Sequence, residues 1–424
     1  MDVPLNSDGL ASGDVDSTYD EIVTGQIRSA VQENVGMKFV PPSETNQLSD
    51  DEYQLALLCL ERTRMAMAER DRRQDQAAYG QNLWARKDRK PSLSAAEHDL
   101  LAPAALLLQG DRDVIRNLRL YSQMFTGYSL AYMQPTDRCP WVCEKLPADH
   151  SPPSEPDFGY TNAKRFFGMV PPLDARFGEC GWMEDGVVLN FDQWYYWEKV
   201  VLLDQCDITL QPHVLEIGGG FGGLASLFMK MGPHRYTIID LPESLAFASI
   251  YLSVLFPSLR NLYPVTSEDL VILDEPGFTF VPSYLHRELI GKYKADVVIN
   301  MQSMREMSES QVEDYAETIN AVLAPHGQFF EQNQRPEKGR IDVEAILVRH
   351  LAPPTLGQHS NWGKPRIWRK RVPVLHREKV TVGDAEFSLE FYRGENGQIT
   401  YHTKVERLPS ELTRRAQEIG TRLL

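Results

Sequence analysis

HVLEIGGGFGG, residues 213–223, followed by LASLFMKM to residue 231, decides how this chain reads. A short apolar run, Val214 to Ile217, ends abruptly in glycine and gives way to a stretch with helical composition. That is the pattern of a buried strand turning into a helix. Glycines let a backbone turn tightly and let a ligand approach without meeting a side chain. The free amides at the start of the following helix favour polar or anionic groups on such a ligand.

Downstream, short apolar runs alternate with helical stretches, the signature of a parallel sheet covered by helices on both faces. RYTIID (235–240) is the second expected strand, FTFV (278–281) the third, ADVVIN (295–300) the fourth and GQFFEQN (327–333) the fifth. ESLAFASIYLSVLF (243–256) reads as the helix after the second strand. SESQ (308–311) reads as the capped start of a helix whose Val312, Tyr315, Ile319, Val322 and Leu323 share a face. Two alternating segments, 379–392 and 399–405, are expected to close the sheet as an antiparallel hairpin.

Gly218, Gly220 and Gly223 also satisfy GxGxxG, so a nicotinamide dinucleotide has to be weighed. Glu216, two residues before the first glycine, argues against it. Its charge suits the ammonium of a methionine moiety and opposes a pyrophosphate. Asp240, at the end of the second strand, can accept ribose hydroxyls in either cofactor class. The bland reading of the glycines is close helix-to-sheet packing.

VLEIGGGFGGLA (214–225), YTIIDLPE (236–243) and ADVVINMQSMREMSESQVEDY (295–315), with its Glu306-Met307, resemble the class I S-adenosylmethionine-dependent methyltransferases. Within them the likeness is to sugar O-methyltransferases of bacterial polysaccharide and natural-product gene clusters. It covers roughly residues 158–333. The resemblance implies a Rossmann-like α/β sheet, mostly parallel, with S-adenosyl-L-methionine as cofactor and S-adenosyl-L-homocysteine as product. It places Glu216, Gly218, Gly219, Gly220 and Gly222 on the methionine side, Asp240 on the ribose, Leu241 beside the adenine, and Asn300 and Met301 near the sulfonium. Open parallel sheets bind ligands beyond the carboxyl ends of their strands. The acceptor is therefore expected near Gln302, Ser303, Arg305, Glu306 and Asn333. Glu306 is the first candidate for a general base, with His286 and His326 behind it. Tyr195 and Trp197, within an aromatic helix, are candidates to stack on a sugar or form a lid. The fourth strand ends in Asn300 rather than an acid, which argues against a metal requirement, although Glu306 and Glu331 keep one open.

The remaining sequence sets the context. SDDE (49–52) is a capping box opening a helix through Arg72, SAAE (94–97) is a second, and VIRNLRLYSQMF (114–125) has helical spacing. The expected organisation is an acidic flexible tail over 1–45 and a helical accessory or dimerisation domain over 46–150. A linker and aromatic-rich substrate or lid segment over 151–212 then leads into the cofactor-binding domain over 213–424. The basic residues at 62–73 and 86–90 read as a solvated helix face. A formal net charge of −15 opposes a surface built to neutralise phosphates, so a small-molecule acceptor is expected rather than nucleic acid. The five cysteines are scattered, CPWVC (139–143) included, as for reduced thiols in a cytoplasmic protein. No stretch resembles a membrane span or a secretion signal. The N-terminal helices offer a surface for a homodimer.

Overall fold

A computed structural model describes residues 39–40, 47–73, 101–125, 176–179, 181–184, 187–189, 191–205, 213–333, 341–356, 365–371, 374–383, 385–393, 399–402 and 410–423. In chain order the elements begin with β1 (Phe39–Val40), α1 (Asp50–Arg72), α2 (Leu101–Leu108), α3 (Arg112–Arg116) and α4 (Leu118–Phe125). Then come β2 (Gly181–Glu184), β3 (Val187–Leu189), α5 (Phe191–Gln205), β4 (His213–Ile217), α6 (Gly223–Met231), β5 (Arg235–Asp240) and α7 (Pro242–Leu255). The middle continues through β6 (Arg260–Leu262), β7 (Gly277–Pro282), β8 (Ala295–Met301), α8 (Glu309–Val322) and β9 (Leu323–Gln332). The chain then adds α9 (Val343–His350), β10 (Ala352–Leu356), β11 (Arg366–Arg369), β12 (Val374–Val382), β13 (Ala385–Arg393), β14 (Ile399–His402) and α10 (Ser410–Leu423).

Eight strands form the main sheet in the order β10-β11-β9-β8-β4-β5-β7-β6. β6, β7, β5, β4, β8 and β9 run parallel, and β11 lies antiparallel between β9 and β10. The five strands expected from the apolar runs are all present, because strands covered on both faces are almost continuously hydrophobic. β6 is an edge strand of three residues that no apolar run announces. From β4 the order runs outward through β5 on one side and through β8 on the other. The crevice between β4 and β8 is thus a topological switch point, where such sheets bind ligands.

The hairpin that closes the sheet is not the expected one. β10 and β11 supply it, while β12, β13 and β14 form a separate three-stranded sheet. Pro353 and Pro354 in β10 read as breakers, but β10 is the outermost strand, where a missing N–H costs no ladder bond. The basic stretch before Val372 supplies β11, with Ile367 and Trp368 buried. The separate sheet buries Val380, Leu389 and Phe391 against Leu412, Ala416 and Ile419 of α10.

The capping box at the start of α1 is closed in both directions, with Glu52 N donating to Ser49 Oγ at 3.2 Å and Ser49 N donating to Glu52 Oε2 at 2.9 Å. α1 then lays Ala56, Cys59, Leu60 and Ala66 on the body, and these belong to one core with the residues of the sheet and of α7. Burying Leu60 alone contributes about 2 kcal/mol. The face expected to be solvated in part does the opposite. Arg62 donates to the Tyr263 carbonyl at 2.7 Å, Arg64 to the Leu108 carbonyl, and Arg70 to both oxygens of Glu243 at 2.8 Å. Arg72 remains largely exposed. The helix expected over 114–125 is broken at Asn117, whose backbone leaves the helical region and whose side chain bonds the Asp113 carbonyl at 2.9 Å. The second capping box and the CPWVC pair lie outside the described residues.

Candidate functional site

Three clusters meet beyond the carboxyl ends of β4, β5, β8 and β9. In the first, the turn after β4 holds Gly218, Gly220 and Gly222 at φ +77°, +56° and +87°, a region that favours glycine. Gly218 N donates to the Ile239 carbonyl at 2.8 Å, and Gly222 N to the Gly219 carbonyl at 2.9 Å. The turn is also tightly packed. A Cβ at Gly218 would lie 2.1 Å from Ser303 Oγ, and one at Gly219 would lie 2.7 Å from Ile238 Cγ2 and 3.0 Å from Glu216 Oε2. At Gly223 it would lie 2.2 Å from Tyr196. The packing reading of these glycines therefore holds at 218, 219 and 223, alongside any role toward a ligand.

Glu216 lies beneath the turn. It is 2% exposed, its Oε2 accepts from the Tyr236 hydroxyl at 2.9 Å, and burial pushes its carboxyl up to about 8. At neutral pH it therefore holds a proton, and an ammonium brought against it would draw that proton off.

In the second cluster, Asp240 ties the end of β5 to the turn. Its Oδ2 accepts from Gly220 N at 2.9 Å and from the Ser244 hydroxyl at 2.8 Å, and its Oδ1 accepts from Leu241 N at 2.8 Å. Burial raises this carboxyl to about 6. Three of its acceptor positions are filled, so a ligand hydroxyl would add to the fourth or displace Ser244. Leu241 is buried beside it.

The third cluster crosses the switch point. Asn300 Nδ2 donates to the Ile217 carbonyl at 2.8 Å and to Ser303 Oγ at 2.6 Å. Asn333 Nδ2 donates to Asn300 Oδ1 at 2.9 Å, and Asn333 Oδ1 accepts from Arg305 N at 3.2 Å. Glu331, fully buried, accepts from Asn333 N and Nδ2, both at 2.7 Å, and from Arg366 of β11 at 3.2 Å. Its carboxyl is raised by burial and held back by Arg366. Thus Arg366 fixes Glu331, which fixes Asn333, which fixes Asn300 at the crevice. Met301, buried, ends β8 here, Gln302 follows it, and Glu306 closes the half-buried turn 304–306 with its N–H on the Ser303 carbonyl at 3.1 Å.

The structure thus brings together Glu216, Gly218, Gly219, Gly220, Asp240, Leu241, Asn300, Met301, Gln302, Ser303, Arg305, Glu306 and Asn333. It does not bring in the two histidines. His286 is buried with both ring nitrogens engaged, Nδ1 with Thr318 Oγ1 at 2.9 Å and Nε2 with Asp314 Oδ2 at 3.1 Å, so it is structural. His326 is exposed near the start of β9, a strand whose far end carries the site. Tyr195 and Trp197, 4% and 0% exposed, present no face for a sugar. A run of four aromatics on one helix must point in several directions, and these two point into the core. Gly222 caps α6 against Leu252, the 2.7 Å neighbour of its missing Cβ.

Sequence reasoning missed Tyr236, Ser244 and Arg366. It also missed the buried Arg119, which bonds Glu179 at 2.6 Å and Asp192 at 2.8 Å in a recess beside Phe221 and Gly223. Among the described residues no group of three or more metal-ligating side chains is close enough to hold an ion, and no helix is long and apolar enough to cross a membrane.

A parallel sheet built outward from β4, with one antiparallel strand slipped in beside β9, is a specific arrangement. It is a Rossmann-like α/β sheet. No protein-family model and no curated protein matches the sequence. Solved structures similar to the chain include human N-acetylserotonin methyltransferase in complex with SAM, with 16% identity over 42% of this chain and 55% of that one, TM-score 0.29. They also include a TehB-like SAM-dependent methyltransferase from Corynebacterium glutamicum, with 16% identity over 41% of this chain and 87% of that one, TM-score 0.30. A third is a structure described as a pericyclic reaction enzyme, with 15% identity over 40% of this chain and 47% of that one, TM-score 0.28. Likenesses at this level go no further than the strand order does, and one fold hosts many reactions.

Proposed function

We propose that this chain is an S-adenosylmethionine-dependent methyltransferase whose acceptor is a hydroxyl of a sugar, glycoside or related small molecule. The observation that carries the reading is the left-handed glycine turn held between two anchors. Asp240 of β5 binds Gly220 N on one side, and Asn300 and Ser303 border Gly218 on the other. An adenosine ribose suits the Asp240 end and a methionine ammonium suits the buried Glu216 beneath the turn. A pyrophosphate at the same place would keep Glu216 protonated and gain no ion pair from it, whereas an ammonium gains an ionised partner, which favours the methionine moiety over a dinucleotide.

The residues present fit this cofactor in their donor set. Asp240 and Leu241 would hold the adenosine half, and Glu216 with the Gly218 to Gly220 backbone the methionine half. When bound, the cofactor supplies a sulfonium methyl, and transfer forms an oxygen–methyl bond as the sulfur–methyl bond breaks, its electron pair staying on sulfur. The protein's part is alignment and proton removal. Asn300 and Asn333, locked by Glu331 and Arg366, form a rigid floor beyond β8. Glu306 stands just past that floor and is the group to accept the hydroxyl proton. No metal is needed for this scheme.

The test is transfer of labelled methyl from S-adenosylmethionine to a panel of glycosides. Glu306→Gln should lower kcat about a hundredfold or more with little change in the cofactor's KM. Undiminished kcat would remove Glu306 as the base. Absence of transfer to every glycoside, with S-adenosylmethionine bound, would move the acceptor to another chemical class.

A further inference from the structure

Two costs coincide at Gln302. The first is backbone strain. Its φ is +66°, in the left-handed region that a side chain enters only at a penalty glycine would not incur. Its neighbours hold it there, because Gln302 N donates to the Gln332 carbonyl at 3.1 Å and Ser303 N donates back to the Met301 carbonyl at 2.8 Å. The second cost is desolvation. Both Oε1 and Nε2 of its carboxamide are shut off from solvent, and neither has a hydrogen-bond partner among the described residues. Burying an amide with donor and acceptor both unmet is unfavourable, and such groups in folded proteins call for an explanation.

The position supplies one. Gln302 follows the last residue of β8, between Asn300 and Ser303, which bond the Ile217 carbonyl across the switch point. The carboxamides of Asn300 and Asn333 are already committed, Asn300 to Ile217, Ser303 and Asn333, and Asn333 to Glu331, Asn300 and Arg305. Gln302 is left with one donor and one acceptor side by side. A bound molecule that offers an acceptor to Nε2 and a donor to Oε1 removes the desolvation cost and accounts for a side chain being kept at a strained position.

We propose that Gln302 recognises the methyl acceptor, donating through Nε2 to one oxygen and accepting through Oε1 from a neighbouring hydroxyl. The acceptor then carries two adjacent hydroxyls, as in the vicinal diol of a sugar ring. The assignment rests on the methyltransferase reading for the reaction, and it narrows the acceptor class from any small hydroxylated molecule to a vicinal diol.

The test uses the full chain and Q302G, which removes the strain and the amide together. Three measurements decide it: thermal unfolding, calorimetric titration with S-adenosylhomocysteine, and labelled methyl transfer to methyl hexopyranosides and their singly deoxygenated analogues. The expected result is that Q302G melts no lower than the parent and binds S-adenosylhomocysteine within about threefold of it. The parent should prefer an intact diol over its deoxy analogue by at least about fiftyfold in kcat/KM, and Q302G should reduce that preference to a few-fold. Melting several degrees lower would make the amide a structural group. A tenfold or greater loss of S-adenosylhomocysteine affinity would make it a cofactor group. Equal discrimination in parent and variant, or none in the parent, would also overturn the assignment. If the parent binds S-adenosylhomocysteine yet methylates no hexopyranoside, the diol fails while the cofactor reading stands. If it binds neither sulfur ligand, the methyltransferase reading fails first and the assignment falls with it.

Discussion

Replacing Glu216 by glutamine should make the ligand-free protein more stable in alkaline solution, and the size of the gain follows from the site. Burial raises the carboxyl from 4.5 to about 8, with Tyr236 the hydrogen-bond partner. The folded-state pKa lies above the unfolded one, so the folded chain keeps a proton that the unfolded chain releases across that window. Stability is fully present below about pH 4.5 and is lost as pH rises toward about 8. Each pH unit inside the window corresponds to about 1.4 kcal/mol, which gives roughly 3 kcal/mol between about pH 5.5 and pH 8. The side chain is 2% exposed, so solvent screening removes little of this. Glutamine has nearly the same shape, still accepts from Tyr236 and does not ionise. The variant should therefore be close to the parent near pH 4.5, ahead by about 1 kcal/mol at pH 5.5, and ahead by roughly 3 kcal/mol more at pH 8.5, as read by urea unfolding. Asp240, raised to about 6, adds its own pH dependence to both proteins, and its charge adds to burial in raising Glu216, so the comparison reads the two carboxyls as a pair. The same logic links the carboxyl to the ligand. If an ammonium binds ionised Glu216, parent affinity for S-adenosylmethionine should rise by up to about tenfold per pH unit between about pH 6 and 8, and the variant should lose that slope. Parallel stability profiles for the two proteins would refute the reasoning.

Other consequences follow from the packing and the ion pairs. Gly218→Ala should destabilise by about 2–4 kcal/mol, since its Cβ would strike Ser303 in a left-handed backbone. Gly291→Ala, also left-handed but with open space around it, should cost only about 1 kcal/mol, and equal losses in chemical denaturation would contradict the steric account. Arg366→Met strands the buried Glu331 carboxylate and should cost about 3–5 kcal/mol, with most of it recovered by adding Glu331→Gln; an additive double variant would show that the pair does not act as a unit. Asp240→Asn should weaken S-adenosylhomocysteine binding at least about tenfold in calorimetry while leaving the far-ultraviolet spectrum unchanged; unaltered affinity would take the ribose from Asp240.

Much of the sheet was legible because its central strands are buried on both faces and announce themselves as apolar runs, the first ending in glycine and the second in an acid. The cofactor-side candidates were legible for the same reason, since a ligand beyond the strand ends must meet the residues just after those runs. Helix starts at Ser49 and Ser308 were legible because a capping box is a local device. What could not be read depends on partners distant in sequence. The pairing of Arg70 with Glu243 spans 173 positions, and that of Arg366 with Glu331 joins two strands whose neighbourhood is set only by the closed sheet. A basic run on its own reads as solvated until such partners are known. The hairpin was misplaced because Pro353 and Pro354 signal a break everywhere except at an edge. The histidines were drawn in by residue type, and only placement shows that His286 is occupied by α8 and that His326 lies at the wrong end of its strand.

Calorimetric titration of the parent with S-adenosylhomocysteine, beside NAD and the Glu216→Ala, Asp240→Ala double variant, tests the central claim most directly. The account predicts micromolar binding of the sulfur ligand, none of NAD, and loss of binding in the double variant. Failure to bind either S-adenosylhomocysteine or S-adenosylmethionine, or binding that survives both substitutions unchanged, would contradict it.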